Sequence, residues 1–98
     1  MPDLPEVVKI GPIRYTVSRD PLISGDGLVR YADASILIKP GLSKDYEAVV
    51  LWHEILHAII TDGGQRAFIP EKALEPLMEC MSVGLLNVIR DNPRLKEL

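Results

Sequence analysis

Short apolar segments rich in β-branched residues occupy the first forty positions, and residues that favour turns separate them. Residues 7–10 and 13–17 lie on either side of a Gly-Pro pair, which predicts a strand pair or one bent strand. Residues 28–32 and 35–39 flank an Asp-Ala pair, which predicts a β-hairpin. Residues 18–27 carry one proline and two glycines, so we expect a loop there.

After residue 43 the apolar positions follow a helical period. Ser43 suits an N-cap, and Asp45 and Glu47 are favourably placed against the dipole in the first turn. The pattern predicts a helix from residue 43 to about residue 61, and Gly63-Gly64 ends it.

This first helix has little surface suited to water. Between residues 48 and 60 the only strongly polar side chains are His53, Glu54 and His57, so we expect the helix to be buried through the middle of the domain. At about 100° per residue, one side of this helix forms a predicted core arc made of Trp52, Ile55, Leu56 and Ile59.

A second helix is predicted from residue 71 to about residue 91, with Asn92-Pro93 stopping it. Pro76 removes one hydrogen bond, so the regular helix could begin only there. The expected core stripe consists of Leu74, Leu77, Met81, Leu85 and Val88.

These elements predict one α+β domain over residues 1–98. A small antiparallel sheet of three to four short strands, within residues 7–39, packs on the buried helix and on the second helix. Residues 1–6 form a loose lead-in, and residues 92–98 form a C-terminal tail.

The charge pattern argues against a nucleic-acid partner. The net charge is -3, and the 11 lysines and arginines are scattered, whereas phosphate contacts need clustered basic residues. The longest apolar run is far too short to cross a bilayer, so we expect no membrane partner.

Cysteine usage and the N-terminus indicate an intracellular setting. Cys80 is the only cysteine, so no disulfide forms within the chain, and we expect it to be a small buried hydrophobe. The first six residues lack the basic start and apolar run of a signal peptide. We therefore expect a cytoplasmic protein.

The chemistry lies in the His-Glu-x-x-His motif of the first helix. His53 and His57 are one turn apart, so both imidazoles leave the same face and can bind one metal ion, while Glu54 can act on a bound water. This pattern is typical of zinc-dependent peptidases. Two core histidines without a metal are the plainer alternative, but burying both imidazoles beside a glutamate is costly.

A third ligand has to come from another part of the chain. There is no further histidine, and in the long metzincin pattern the glycine and ligand positions are Ile60 and Gly63, so that pattern fails. Catalytic zinc uses three protein ligands, which leaves a carboxylate or Cys80. The acidic candidates are Asp62, Glu71, Glu75 and Glu79.

Glu79 is the preferred third ligand. It shares a helical arc with small and apolar neighbours, and a buried carboxylate is most readily explained by a cation. Glu75 lies one turn earlier on the same arc and is the alternative ligand, or a residue that supports the ligands by hydrogen bonding.

The layout also resembles a known family. The order of strands, hairpin, His-Glu-x-x-His helix, glycine reversal and second helix resembles the minimal gluzincin peptidases of the ImmA/IrrE type. The segments LWHEILHAI at 51–59 and RDNP at 90–93 resemble small metallopeptidases encoded by phages and prophages. The resemblance implies one zinc ion on His53, His57 and Glu79, Glu54 as catalytic acid and base, and the cytoplasm of a bacterial host.

Three further expectations concern the reaction. Charge that develops on the substrate oxygen needs a second stabiliser, for which Tyr46, Tyr31 and Arg66 are candidates. In the zincin layout an extended peptide or protein substrate adds to a free sheet edge by main-chain hydrogen bonds. The expected edge strand consists of Ser35, Ile36, Leu37, Ile38 and Lys39.

Two functions fit these features. The first is a zinc-dependent metallopeptidase that acts on peptide bonds through a metal-activated water. The second is a non-catalytic adaptor or assembly protein of phage type, in which zinc stabilises the fold. Replacing Glu54 distinguishes them, because only the peptidase needs its carboxylate.

Overall fold

The computed structural model describes residues 3–98, so the first two residues of the expected lead-in lie outside the described residues. Four strands precede two long helices, and one short 3-10 helix follows each long helix. The elements are β1 (Val7–Ile10), β2 (Ile13–Arg19), β3 (Gly27–Arg30), β4 (Ser35–Ile38), α1 (Lys44–Asp62), the 3-10 helix Arg66–Phe68, α2 (Glu71–Asp91) and the 3-10 helix Pro93–Glu97. The α+β class expected from the sequence is confirmed.

The sheet is mixed, so the expected purely antiparallel sheet is wrong. Its strand order is β1-β2-β4-β3; the hairpins β1–β2 and β3–β4 are antiparallel, and β2 lies parallel to β4. The loop between β2 and β3 carries the chain past the position beside β2, which β4 then fills. All four residues of β4 are buried. Such a continuously buried strand belongs in the middle of a sheet.

This topology also corrects the expected edge strand. Residues 35–38 form β4, which has a neighbour on each side, so the segment from Ser35 to Lys39 offers no free edge for a substrate. The two edges of the sheet are β1 and β3.

Helix α1 lies against the sheet, and both of its ends follow the sequence prediction. Ser43 caps the N-terminus, where the Tyr46 amide donates to its hydroxyl at 3.2 Å. At the other end the Gly63 amide donates to the Ile59 carbonyl, and Gly64 has a φ of 77°, a conformation that suits glycine.

The core of the domain lies between this helix and the sheet. Ile36 and Ile38 from β4 and Ala58 from α1 are completely buried. The expected core arc of α1 is correct for Ile55 and Leu56, but Trp52 is only partly buried and Ile59 is 47% exposed. Ile59 lies on a side of the helix that neither the sheet nor α2 covers fully.

Helix α2 packs on α1 along a narrower line than expected. Its buried residues, each four positions after the last, are Leu74, Met78, Ser82 and Leu86. Leu77, Met81 and Val88 of the expected stripe are exposed, Leu85 is partly buried, and Cys80 is exposed. A helix that packs on a single neighbouring helix buries only the positions that face it, so the wider expected stripe of α2 is left partly exposed.

Two polar anchors attach helix α1 to the sheet. The Arg19 guanidinium at the end of β2 donates from Nε and Nη2 to both oxygens of Glu47, at 2.8 and 2.9 Å. At the opposite end the Tyr15 hydroxyl, almost fully buried, donates to Asp62 at 2.6 Å. Together these contacts fix the helix over the sheet at both ends.

Within the lead-in, Asp3 is held by charge. Its carboxylate accepts from the Arg19 guanidinium at 3.0 Å and from the Lys44 ammonium at 3.4 Å. These contacts, with the Arg19 hydrogen bond first, lower the pKa of Asp3 to about 2. The part of the lead-in described by the structure is therefore tied to both β2 and α1.

Within residues 3–98, no helix combines the length and the apolar character needed to cross a membrane.

Candidate metal centre

A cleft of about 1050 Å³ lies between β3, α1 and α2. His53, Glu54 and His57 line its wall, together with parts of the loop before β3. The cleft exists because α2 packs on α1 beside the sheet rather than across it, which leaves the polar face of α1 open between β3 and α2.

Three side chains converge in this cleft. His53 Nε2 and His57 Nε2 are 3.1 Å apart. Glu75, from the second turn of α2, places Oε2 at 3.1 Å from His53 Nε2 and Oε1 at 2.8 Å from His57 Nε2. The three side chains form a group able to hold a metal ion, with one ligand atom from each within 4.8 Å of the others.

The geometry and the chemistry of this group fit a tetrahedral metal site. Zinc with bonds of about 2.0–2.2 Å to nitrogen and oxygen holds neighbouring ligand atoms roughly 3.3 Å apart. The two imidazole nitrogens are 3.1 Å apart, and each lies 2.8 or 3.1 Å from a different oxygen of Glu75, close to that value. Two imidazoles and one carboxylate are also the donor set of known catalytic zinc sites that keep one position open.

The third member of the group is Glu75 rather than the expected Glu79. Leu74 and Met78 of α2 pack with Leu56 of α1. Glu75 follows Leu74 by one residue, about 100° around the helix, which turns it towards the two histidines. Glu79 lines the same cleft one turn, about 6 Å, further along α2.

The sequence pattern predicts a buried Glu79, but this side chain is exposed. It lies towards Tyr46, whose pKa it helps to raise, after the stronger effect of Asp26. The small and apolar neighbours that suggested burial include Ser82, which packs inward, and Val83, which does not.

The other candidate ligands are committed elsewhere. Asp62 accepts the hydrogen bond of Tyr15. Glu71 accepts from the Arg66 guanidinium at 2.8 Å. Cys80 is exposed on α2 and is not in the group of converging ligand atoms.

Glu54 occupies the buried wall of the cleft. It is 7% exposed and lies beneath β3, among apolar side chains of α1 and the sheet. Burial first, and then the negative charge of Glu75, raise the pKa of Glu54 to about 7. A carboxyl group with a pKa near neutrality can accept and return a proton under ordinary conditions.

Burial also affects the second histidine of the motif. It lowers the pKa of His57, although the nearby Glu75 carboxylate works in the opposite direction. A lowered pKa keeps the imidazole neutral at physiological pH, and neutral imidazole is the form that binds a metal ion.

The three candidates for stabilising charge on the substrate oxygen all line the cleft. Tyr46 donates its hydroxyl to Asp26 at 2.7 Å, and Arg66 is paired with Glu71. The Tyr31 hydroxyl is 3.0 Å from the Thr61 hydroxyl, a neutral partner that can also donate.

Edge strand β3 forms the wall opposite α2. In this hairpin the Lys39 amide donates to the Asp26 carbonyl at 2.8 Å, and the register pairs Gly27 with Ile38. Residues of an antiparallel pair alternate between bonding their partner and pointing away. The N–H and C=O groups of Gly27 and Val29 therefore point to the free edge.

Asp26 and Gly27 are among the cleft residues that sequence reasoning missed. Both were assigned to a loop because the segment carries turn-forming residues. Asp26 is the acceptor for Tyr46, and Gly27 begins β3 directly over Glu54. No local pattern marks either residue, because each owes its place to the pairing of β3 with β4.

Comparisons of the chain with protein-family models, with curated proteins and with solved structures find no match.

Proposed function

We propose that this protein is a zinc-dependent metallopeptidase. The observation that carries the proposal is the convergence of His53, His57 and Glu75 within 2.8–3.1 Å, in a cleft whose buried wall holds Glu54. Two imidazoles, a carboxylate and a nearby protonatable acid are the parts that metal-assisted hydrolysis requires.

The roles follow from the chemistry of each side chain. His53, His57 and Glu75 hold the ion, which when bound supplies Lewis acidity that activates water and polarises a carbonyl. Glu54 accepts the proton of the attacking water and then donates it to the leaving amine. The pKa of Glu54 is raised to about 7 in the metal-free protein, and the charge of a bound ion would lower it, which favours the ionised carboxylate that accepts the proton.

A peptide or protein is the proposed substrate because β3 borders the cleft and has a free edge. An extended chain that adds to this edge forms main-chain hydrogen bonds with Gly27 and Val29. These bonds hold the substrate backbone beside His53, His57 and Glu75 without selecting particular side chains of the substrate.

Tyr31 is the proposed stabiliser of charge on the substrate oxygen. Tyr46 donates to the Asp26 carboxylate and Arg66 to the Glu71 carboxylate, and both bonds are charge-assisted. The Tyr31 hydroxyl donates to the neutral Thr61 hydroxyl, so redirecting it costs the least.

Metal analysis combined with turnover tests this function. The purified protein is loaded with zinc, dialysed and assayed on a library of unstructured, fluorescence-quenched peptides. We expect one zinc per chain in the wild type and in Glu54→Gln, and much less in His57→Ala. Glu54→Gln should lower turnover at least ~100-fold, because general base catalysis contributes that order of rate.

Two outcomes contradict the proposal. Less than one equivalent of tightly bound zinc in the wild type would overturn the metal centre itself. Full zinc binding with the same peptide turnover, or none, in wild type and Glu54→Gln would favour the adaptor, in which the metal stabilises the fold.

A further inference from the structure

Gly27 lies in unusually close contact with the candidate catalytic glutamate. A Cβ atom built on Gly27 meets Val50 Cγ1 at 2.6 Å, Glu54 Oε2 at 2.9 Å and Glu54 Cγ at 3.0 Å. Separations this short are repulsive for non-bonded carbon and oxygen atoms, whose favourable distance is about 3.5–4.0 Å. Any other residue at this position forces a side chain of α1 to move.

The backbone does not explain this glycine. Among residues 3–98, the glycines with positive φ are Gly11, Gly41 and Gly64, so Gly27 has a backbone conformation that alanine also adopts. Gly27 is a strand residue paired with Ile38, and glycine within a strand often marks close approach of another group. The constraint is therefore the space that Glu54 and Val50 fill.

The two side chains beneath Gly27 differ in their freedom to move. Val50 is buried in the core between α1 and the sheet, and its β-branched side chain has one strongly preferred rotamer on a helix. The Glu54 carboxylate is the far end of a flexible side chain that faces the cleft. A methyl group at position 27 would therefore displace the carboxylate, whereas its 2.6 Å contact with Val50 Cγ1 is relieved only by a shift of β3 or by shortening Val50.

We propose that Gly27 is a positioning residue for Glu54, which rests on the proposed peptidase function. The missing side chain lets the carboxylate lie directly beneath β3, at the wall of the cleft. The same residue points its N–H and C=O groups to the free edge of β3. One residue thus sets the distance between a substrate backbone paired on the edge and the base below it.

Gly27→Ala tests this role, with Gly84→Ala in α2 as the control. A Cβ atom on Gly84 meets nothing within 4 Å, and Gly84 does not line the cleft. We expect both variants to bind one zinc. Gly27→Ala should lower kcat at least tenfold with KM changed less than about threefold, because misplacing a reacting group by 1 Å can cost ~100-fold. Gly84→Ala should match the wild type in kcat and KM.

Combining Gly27→Ala with a second substitution distinguishes misplacement of Glu54 from a loss of stability. Val50→Ala removes the shortest contact, so the double variant Val50→Ala/Gly27→Ala should unfold at a higher temperature than Gly27→Ala while kcat stays low. In the Glu54→Gln background Gly27→Ala should lower turnover no further, because no base remains to be displaced. If Gly27→Ala alone does not fold, the double variant takes its place.

A spectroscopic readout keeps this inference separate from the peptidase proposal. The ¹³C resonance of the Glu54 side-chain carboxyl, assigned through Glu54→Gln, is compared in the zinc-loaded variants. It should shift in Gly27→Ala and remain in place in Gly84→Ala. A wild type that binds zinc without turnover overturns the function, and the resonance then decides the placement of Glu54. An unshifted resonance, or wild-type kcat, in Gly27→Ala overturns the inference.

Discussion

Glu75 and Glu79 are identical side chains one helical turn apart, and only Glu75 reaches the two histidines. The difference is about 6 Å along α2, which is larger than the whole ligand group. Sequence spacing placed both acids on the correct side of the helix, but the choice between them depends on how far α2 slides along α1. That distance is set by Leu74 and Met78 packing on Leu56.

Removing each acid in turn checks this assignment. We expect Glu75→Ala to weaken zinc binding at least ~100-fold, because losing a supporting residue already costs 10–100-fold. Glu79→Ala should leave affinity within about threefold, since its carboxylate lies outside the ligand group. Competition with a chromophoric chelator measures both, and equal losses would contradict Glu75 as the ligand.

At the scale of the elements, a charged clamp holds α1 on the sheet. Glu47 is 4% exposed and accepts hydrogen bonds from Nε and Nη2 along one edge of the Arg19 guanidinium. The same guanidinium also donates to Asp3. These contacts raise the pKa of Arg19, with the Glu47 hydrogen bond first. From sequence Glu47 was assigned a favourable place in the helix dipole, and its partner on β2 was not foreseen.

Breaking this clamp should destabilise the domain. Arg19→Ala leaves the Glu47 carboxylate buried and unpaired, and we expect the free energy of unfolding to fall by about 2–4 kcal/mol. Arg30→Ala is the control, because Arg30 pairs with Asp33 at the surface and such pairs contribute about 0–1 kcal/mol. Urea unfolding monitored by circular dichroism compares the two. Equal losses would show that the Arg19 pair is no stronger than a surface pair.

At the scale of the whole molecule, the fold buries an acid that a bound cation would stabilise. Glu54 lies at the wall of a small core, and its raised pKa means that the folded state without metal prefers the protonated form. The buried acid therefore lowers the free energy of unfolding of the metal-free protein at neutral pH, and a metal ion that binds only the folded state offsets that loss.

The stability of the metal-free protein should depend on pH through Glu54. The carboxyl has a pKa of about 7 when folded against 4.5 as the ordinary value, so the folded state holds the proton more tightly. Its contribution is complete below pH 4.5 and is lost as the pH rises to about 7. Glu54→Gln should therefore be as stable as wild type at pH 4 and more stable by roughly 3 kcal/mol at pH 8.

The comparison between variants removes the opposite effect of His57, whose lowered pKa destabilises the folded state in acid. Urea unfolding in excess chelator at each pH gives the difference. The same difference at pH 4 and pH 8 would contradict a raised pKa for Glu54. Adding zinc should raise the stability of both variants.

The sequence by itself determined the elements and half of the site. Turn residues and apolar periodicity placed both hairpins, the Ser43 cap and the Gly63-Gly64 end, because these depend on neighbours along the chain. The spacing of His53 and His57 fixed two ligand atoms on one helical face for the same reason.

Only the tertiary structure decided the rest. Which strand is central, which acid completes the ligand group and why position 27 lacks a side chain all depend on contacts between distant segments. A local pattern carries the direction of a side chain, but not how far one element slides or rotates on another. In this protein a slide of one helical turn separates Glu75 from Glu79, and strand pairing moves the free edge from β4 to β3.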